Sequence, residues 1–193
     1  MGINDKSKAH GLSFRHLIIG VVIVLIVGLI VFFVGRQWFF TDDQGKEKVI
    51  EQVLNEQFST ADEALIRLIE SPENATILDG TTNAMPEEHT ALNAFLEEKY
   101  GAYFTEEMYQ EYLTTYAFMY QVPAYYSNYP LQTTEISLEK NQNEDGLYNF
   151  TVNVSYGENE ESLVSGRARV NDTKKLNYFE ILEDDGLQQV LNN

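Results

Sequence analysis

The sequence contains no cysteine, and this absence excludes several kinds of site. A chain without thiols has no disulfide framework, no cysteine nucleophile, no zinc site built on thiolates and no lipid attached to cysteine. Basic side chains are also scarce, since 13 Lys plus Arg stand against 30 Asp plus Glu in 193 residues. The formal net charge is therefore −17 at pH 7.

This charge is divided unevenly along the chain. Lys6, Lys8 and Arg15 make the first sixteen residues basic, whereas residues 41–193 hold nine basic and 29 acidic side chains, a net charge of −20. A domain this negative repels the phosphates of nucleic acid. Direct binding of nucleic acid is therefore not predicted.

Histidine is too rare to build a metal centre in the acidic region. His10 and His16 lie near the N-terminus, so only His89 belongs to the acidic region. A zinc site without cysteine needs several histidine or carboxylate ligands. The Gly-x-Ser-x-Gly motif of a nucleophile elbow is also missing. The sequence predicts no metal site, no cofactor and no catalytic residue.

A run of 18 apolar or glycine residues extends from Leu17 to Val34. At about 1.5 Å per residue in a helix, this run spans roughly 27 Å, close to the hydrocarbon thickness of a bilayer. Arg36 and Trp38 follow it, as is typical of residues at the headgroup level. No small-residue cleavage motif follows, so the run predicts a transmembrane helix that acts as an uncleaved signal anchor.

The N-terminus is expected in the cytoplasm and the acidic domain outside the cell. Lys and Arg counts on the two sides of the apolar run are nearly equal, so this orientation rests on the short N-terminal side and the acidity of the long C-terminal side. An exported domain without cysteine is typical of Gram-positive bacteria. The predicted organisation is a cytoplasmic tail at 1–16, a membrane span at 17–34, an interfacial hinge at 35–45 and one extracytoplasmic domain at 46–193.

Helical periodicity dominates the first half of the acidic domain. Apolar spacing predicts a helix over about 49–69, either continuous or restarted by a capping box at Thr60. A loop at 71–85 follows, then a second helix that begins at Pro86. A third helix is predicted from Thr105 through Tyr120.

After Pro130 the hydrophobic period changes to two. Within the segment Leu147 to Tyr156, apolar and polar residues alternate without interruption from Tyr148 onward, which predicts a strand. The segments around Ile136, at 164–170 and at 176–182 predict three further strands. Short turns between the strands favour an antiparallel meander with one face covered by helices. The predicted fold class is α+β: an N-terminal transmembrane helix, then about three helices packed on a four-stranded antiparallel meander.

This order of elements resembles the nuclear transport factor 2-like (cystatin-like) fold. With a short inner tail and one membrane span, the architecture is also similar to the bitopic scaffold subunit of type IV secretion and conjugation machines. The resemblance covers Lys46 to Glu183 and rests on element order, with no motif matched residue by residue. It implies that the partners are the bilayer and other proteins of a membrane complex, and it leaves a homo-oligomer open.

One acidic turn imitates half of a calcium-binding loop. Asn141, Asn143 and Asp145 precede Gly146 at the spacing of an EF-hand. Position twelve, however, is Val152 rather than the bidentate Glu. The segment is therefore interpreted as a hairpin turn.

A catalytic role would need an acid or base on the concave face of the sheet, where Glu180 is the candidate. If Glu180 shares the inner face with Leu176, Tyr178 and Leu182, burial would raise the pKa of its carboxyl and suit it to act as a base. The alternative is that Phe179 forms the inner face and Glu180 lies in water.

Tyrosine is the most unusual feature, because nine of the twelve lie between Tyr100 and Tyr129. Its ring is apolar and its hydroxyl polar, which suits a surface that binds other proteins. Helical spacing places Tyr112, Tyr116 and Tyr120 in the core. The predicted partner-binding residues, which fit no single buried stripe, are Tyr109, Tyr125, Tyr126 and Tyr129, the last three in a loop bracketed by Pro123 and Pro130.

These features predict a non-enzymatic, membrane-anchored extracytoplasmic scaffold or assembly protein, and the resemblance implies a conjugation or type IV secretion complex as its setting. A cell-surface domain that binds a small ligand in the concave face is the first alternative. An enzyme with a buried carboxylate is the second. A filled concave face with exposed aromatic surface would favour the scaffold.

Overall fold

Helices occupy the first part of the chain that the computed structural model describes, which comprises residues 43–74 and 91–193. Residues 43–57 form helix α1. Residues Gly45–Asn193 form one compact unit. The other helices are α2 Glu63–Ile69, a 3-10 turn Pro72–Asn74, α3 Ala91–Tyr100, α4 Glu106–Thr115, α5 Gln121–Ser127 and, after the sheet, α6 Leu187–Leu191.

Local sequence explains where these helices begin and end. Asp62 caps α2, because its side chain accepts a hydrogen bond of 2.6 Å from the backbone N–H of Ala64. Pro123 is tolerated in α5 because a proline in the first turn removes no intrahelical hydrogen bond. Asn128 then ends α5 in the left-handed conformation, with φ 57°.

Four strands form one antiparallel sheet in the order β1-β2-β3-β4. Each strand pairs with its neighbour along the chain, so the sheet is a simple meander. The strands are β1 Leu131–Lys140, β2 Leu147–Tyr156, β3 Glu160–Val170 and β4 Leu176–Glu183.

The segment that imitates a calcium loop is the turn between β1 and β2. The Asn141 side chain accepts a hydrogen bond of 2.8 Å from the backbone N–H of Asn143, as in an Asx turn. Gly146 has φ 67°, and a Cβ there would overlap the carbonyl oxygen of Val170. Val152 is buried in β2. These residues make a hairpin, and no group of three or more His, Asp or Glu suited to a metal is found in the described ranges.

Aromatic side chains fill the space between the helices and the inner face of the sheet. The rings of Phe150 and Phe179 stack with centroids 5.6 Å apart. Tyr112 from α4 lies 4.4 Å from Phe104 and 5.7 Å from Phe179, again between ring centroids. All four rings are at most 2 % exposed. The concave face of the sheet is therefore part of the core.

The predicted fold class is wrong in its helical part. About three helices were expected, but the described residues contain six α-helices, because the first predicted helix is divided before Asp62 and because α5 and α6 lie in segments where no helix was predicted. No helix in these ranges is long and apolar enough to cross a bilayer, so the expected transmembrane element has no counterpart among them. The run Leu17 to Val34, with Arg36 and Trp38, lies outside the described residues.

Candidate partner-binding surface

Glu180 does not line a pocket on the concave face. Phe179 is 1 % exposed and takes the inner position, whereas Glu180 is half-buried and accepts a hydrogen bond from the Tyr178 hydroxyl. The cause is an irregularity in the β3–β4 register after Arg169, which lets both Leu176 and Phe179 face the core. Of the two arrangements that the sequence left open, the structure has the one with Phe179 inside, although Glu180 is half-buried rather than fully in water.

Two glutamines and two tyrosines form a buried hydrogen-bond network beside the aromatic core. The Tyr112 hydroxyl donates to Oε1 of Gln57, whose Nε2 donates to the Tyr116 carbonyl at 2.7 Å. Nε2 of Gln121 donates to the Tyr100 hydroxyl at 3.1 Å. These bonds connect α1, α3, α4 and α5. Tyr100 and Tyr112 are thus structural, and their hydroxyls are used inside the protein.

Three of the four tyrosines predicted to bind partners lie on the surface. Tyr125, Tyr126 and Tyr129 are 38 %, 51 % and 37 % exposed. The loop predicted for them is instead the helix α5, which carries the first two, and Tyr129 follows its C-terminal cap. Tyr109 is only 7 % exposed in α4 and presents little area to a partner.

The three exposed tyrosine rings take part in two perpendicular pairs, and the partly buried ring of Tyr156 completes the second pair. The rings of Tyr125 and Tyr126 have centroids 5.5 Å apart and an interplanar angle of 87°. Tyr129 pairs with Tyr156 of β2 at 6.3 Å and 81°. We call these four residues the tyrosine surface. Tyr156 was not predicted as part of it, because only the folded chain brings the end of β2 to α5.

A carboxylate accompanies each pair of rings. Oε1 of Glu70, at the end of α2, accepts a hydrogen bond of 3.0 Å from the Tyr126 hydroxyl. In the second pair, a Cβ added at Gly157 would lie 2.7 Å from Oε2 of Glu160 and 3.4 Å from the Tyr129 ring, so both groups border the same glycine. The backbone N–H of Asn159 donates to Glu160 at 3.1 Å and lowers the pKa of its carboxyl. The tyrosine surface is therefore aromatic and negatively charged.

No family model, curated protein or solved structure matches this chain. The resemblance to the nuclear transport factor 2-like fold consequently rests on element order alone.

A separate cleft of about 300 Å³ lies between the end of α4 and α6. Leu113, Phe118 and Met119 line it on one side, and Gln188 and Asn192 on the other. None of its lining residues in the described part of the chain is titratable. The cleft offers apolar contact and amide groups but no acid or base.

Burial raises the pKa of Tyr100, Tyr112 and Tyr120, and desolvation of the phenolate is the largest cause in each case. For Tyr120, the charge of Asp184 adds to this effect, since the Tyr120 hydroxyl donates to Oδ2 of Asp184 at 3.1 Å. The neutral phenols stabilise the fold fully below about pH 10, where an unfolded tyrosine ionises. This stability is lost as the pH rises above 10 toward the folded pKa values.

Urea unfolding of the chain in non-ionic detergent should therefore show a steep loss of stability between pH 10 and 11.5. Each of the buried phenols of Tyr100 and Tyr112 contributes about 1.4 kcal/mol per pH unit to this slope. The variant Tyr112→Phe should unfold with a smaller slope, because one ionisable phenol is gone. Equal slopes for the two proteins would show that Tyr112 ionises as readily in the folded chain as in the unfolded chain.

Proposed function

We propose that the acidic domain is a non-enzymatic assembly module that binds partner proteins of a membrane complex through the tyrosine surface. The observation that supports this proposal is the joint exposure of Tyr125, Tyr126 and Tyr129, at 37 % to 51 %, on a domain whose other large aromatic clusters are buried. Aromatic rings are enriched in protein interfaces because they bury much area at little cost in conformational entropy.

The setting that we propose is the outer face of a cell membrane. The apolar run at 17–34 would attach the domain to the bilayer, and its acidity and lack of cysteine suit an extracytoplasmic position. The resemblance in element order to scaffold subunits of type IV secretion and conjugation machines favours partners within such a complex.

Two observations weigh against the alternative functions. A ligand pocket on the concave face would need the space that Phe150, Phe179 and Tyr112 occupy. An enzyme that uses a buried carboxylate would need Glu180 on that face, and Glu180 lies on the other side of the sheet.

Replacing Tyr125, Tyr126 and Tyr129 together by serine should lower the recovery of crosslinked partner proteins by about tenfold, because interface aromatic rings commonly carry most of the binding energy. The melting temperature should stay within a few degrees, since these rings contribute little to the core. Crosslinking in intact cells, affinity purification and quantitative mass spectrometry would measure the recovery.

A double variant, Leu163→Ser with Leu182→Ser, provides the matched control. These side chains are 51 % and 48 % exposed in β3 and β4, so the variant removes comparable apolar area elsewhere on the domain. Its partner recovery should equal that of the unmodified chain. Unchanged recovery with the serine triple variant, or a fall of more than about ten degrees in its melting temperature, would contradict the proposal.

A further inference from the structure

We infer that the tyrosine surface recognises cationic side chains, and that its partner presents a basic, arginine-bearing segment. This inference rests on the proposed function and adds the chemistry of the partner. It follows from the geometry of the two ring pairs, from the carboxylate beside each pair and from the charge of the domain.

Each perpendicular ring pair, which we call a corner, contains at least one ring that is exposed to solvent. An aromatic ring carries partial negative charge on its face, and a cation within about 6 Å of the ring centroid is attracted to it. Beside the pair of Tyr125 and Tyr126, Oε1 of Glu70 accepts a hydrogen bond from the Tyr126 hydroxyl. A carboxylate can accept about four hydrogen bonds, so Glu70 can also bind a donor from a partner.

The second corner repeats this combination. Tyr129 and Tyr156 provide the rings, and Glu160 lies beside Tyr129 across Gly157. Glu160 is charged at neutral pH, because hydrogen bonds from backbone N–H groups lower the pKa of its carboxyl. Tyr126 and Tyr129 are three residues apart in the chain, so their Cα atoms are at most about 11 Å apart, a separation that two cations of one extended partner segment can match.

Arginine suits such corners better than other cations do. Its planar guanidinium stacks on aromatic rings and donates two parallel hydrogen bonds to a carboxylate. A phosphocholine headgroup could also place a quaternary ammonium against the rings, but its phosphate would be repelled by a domain with a net charge of −20 over residues 41–193. The observations therefore favour a basic protein segment over a lipid surface.

The test measures binding of a labelled synthetic peptide of alternating arginine and serine to the full chain in non-ionic detergent, by fluorescence anisotropy. The control peptide carries citrulline, which is uncharged and nearly the same shape as arginine. We expect the arginine peptide to bind at least about tenfold more tightly than the citrulline peptide. Equal binding of the two peptides would overturn the inference.

Charge variants then distinguish the contribution of the carboxylates beside the ring pairs to peptide binding from that of the overall charge of the domain. Glu70→Gln and Glu160→Gln should each weaken binding of the arginine peptide by about two- to fivefold. Glu139→Gln removes one charge at an exposed position of β1 and should leave the affinity unchanged. An equal loss with Glu139→Gln would mean that net charge alone attracts the peptide, which would overturn the inference. Thermal melts of all three variants confirm that each is folded.

Two further outcomes distinguish this inference from the proposed function. One outcome is that the variant with serine at positions 125, 126 and 129 loses its partners while the unmodified chain binds the arginine and citrulline peptides equally. In that case the inferred recognition of arginine is wrong, and the proposed assembly function stands. If that variant keeps its partners, the proposed function fails at this surface. Tighter binding of soluble phosphocholine than of the arginine peptide would assign the corners to a lipid headgroup and also overturn the inference.

Discussion

The variant Gly166→Val is expected to destabilise the folded domain strongly. A Cβ at this position would overlap the carbonyl oxygen of Glu180 and the ring of Phe150. Neither can move freely, because Glu180 belongs to the paired strand β4 and Phe150 is stacked on Phe179. Overpacking a core costs about 1 to 3 kcal/mol. Here a strand and a core ring must both shift, so we expect a loss of about 4 kcal/mol or more, a large part of the stability of an ordinary domain.

Circular dichroism during urea unfolding would measure this loss, and Ser165→Val is the matched control. Ser165 is the preceding residue of β3 and is only partly buried, and β-branched side chains suit such strand positions. The free energy of unfolding of Ser165→Val should differ from that of the unmodified chain by about 0.5 kcal/mol or less. If the two valine variants unfold at the same urea concentration, Gly166 does not lie against Glu180 and Phe150.

The variant Tyr112→Ala is expected to cost about 3 to 5 kcal/mol of stability, the usual range for deleting a buried aromatic ring. The Tyr112 ring is 0 % exposed and lies within 6 Å of Tyr100, Phe104 and Phe179, centroid to centroid. Removing it would leave a cavity at the centre of the aromatic core. Urea unfolding of the full chain in detergent provides the measurement.

Tyr112→Phe separates the contribution of the ring from that of the hydroxyl. The ring contacts remain, but Oε1 of Gln57 loses the donor that the Tyr112 hydroxyl supplies. We expect a cost of about 1 to 3 kcal/mol, the penalty for a buried polar atom without a partner. If both variants at position 112 cost less than 1 kcal/mol, this ring is not at the centre of the core.

The sheet could be predicted from the sequence because strand alternation is a local signal. The predicted segment Leu147 to Tyr156 has the bounds of β2. Helix α5 was missed because Pro123 and Pro130 were interpreted as the ends of a loop, although Pro123 lies in a first turn that tolerates proline. Helix α6 has five residues, too few for a helical period to be recognised.

The candidate site could be predicted only in part. Tyr125 and Tyr126 fitted no buried stripe, and their exposure agrees with that pattern. Glu70 and Tyr156 come from distant parts of the chain, so no sequence pattern connects them to α5. The choice between Glu180 and Phe179 for the inner face stayed open, because simple alternation does not reveal an irregularity in strand register.

A single cysteine at position 130 tests most directly whether the tyrosine surface contacts a partner outside the membrane. Pro130 is exposed and follows Tyr129, so Pro130→Cys leaves all four rings in place. Because the chain has no cysteine of its own, a maleimide would modify only this side chain within the protein. The reagent is a membrane-impermeant maleimide with a photoactivatable group, and it is applied to intact cells. The control is Leu163→Cys, which carries a cysteine at another exposed position.

We predict that both cysteine chains react on intact cells, and that illumination yields a discrete crosslinked partner from Pro130→Cys but not from Leu163→Cys. Reaction only after lysis would contradict the extracytoplasmic position. Equal crosslinking from both chains, or from neither, would contradict a partner contact at the tyrosine surface.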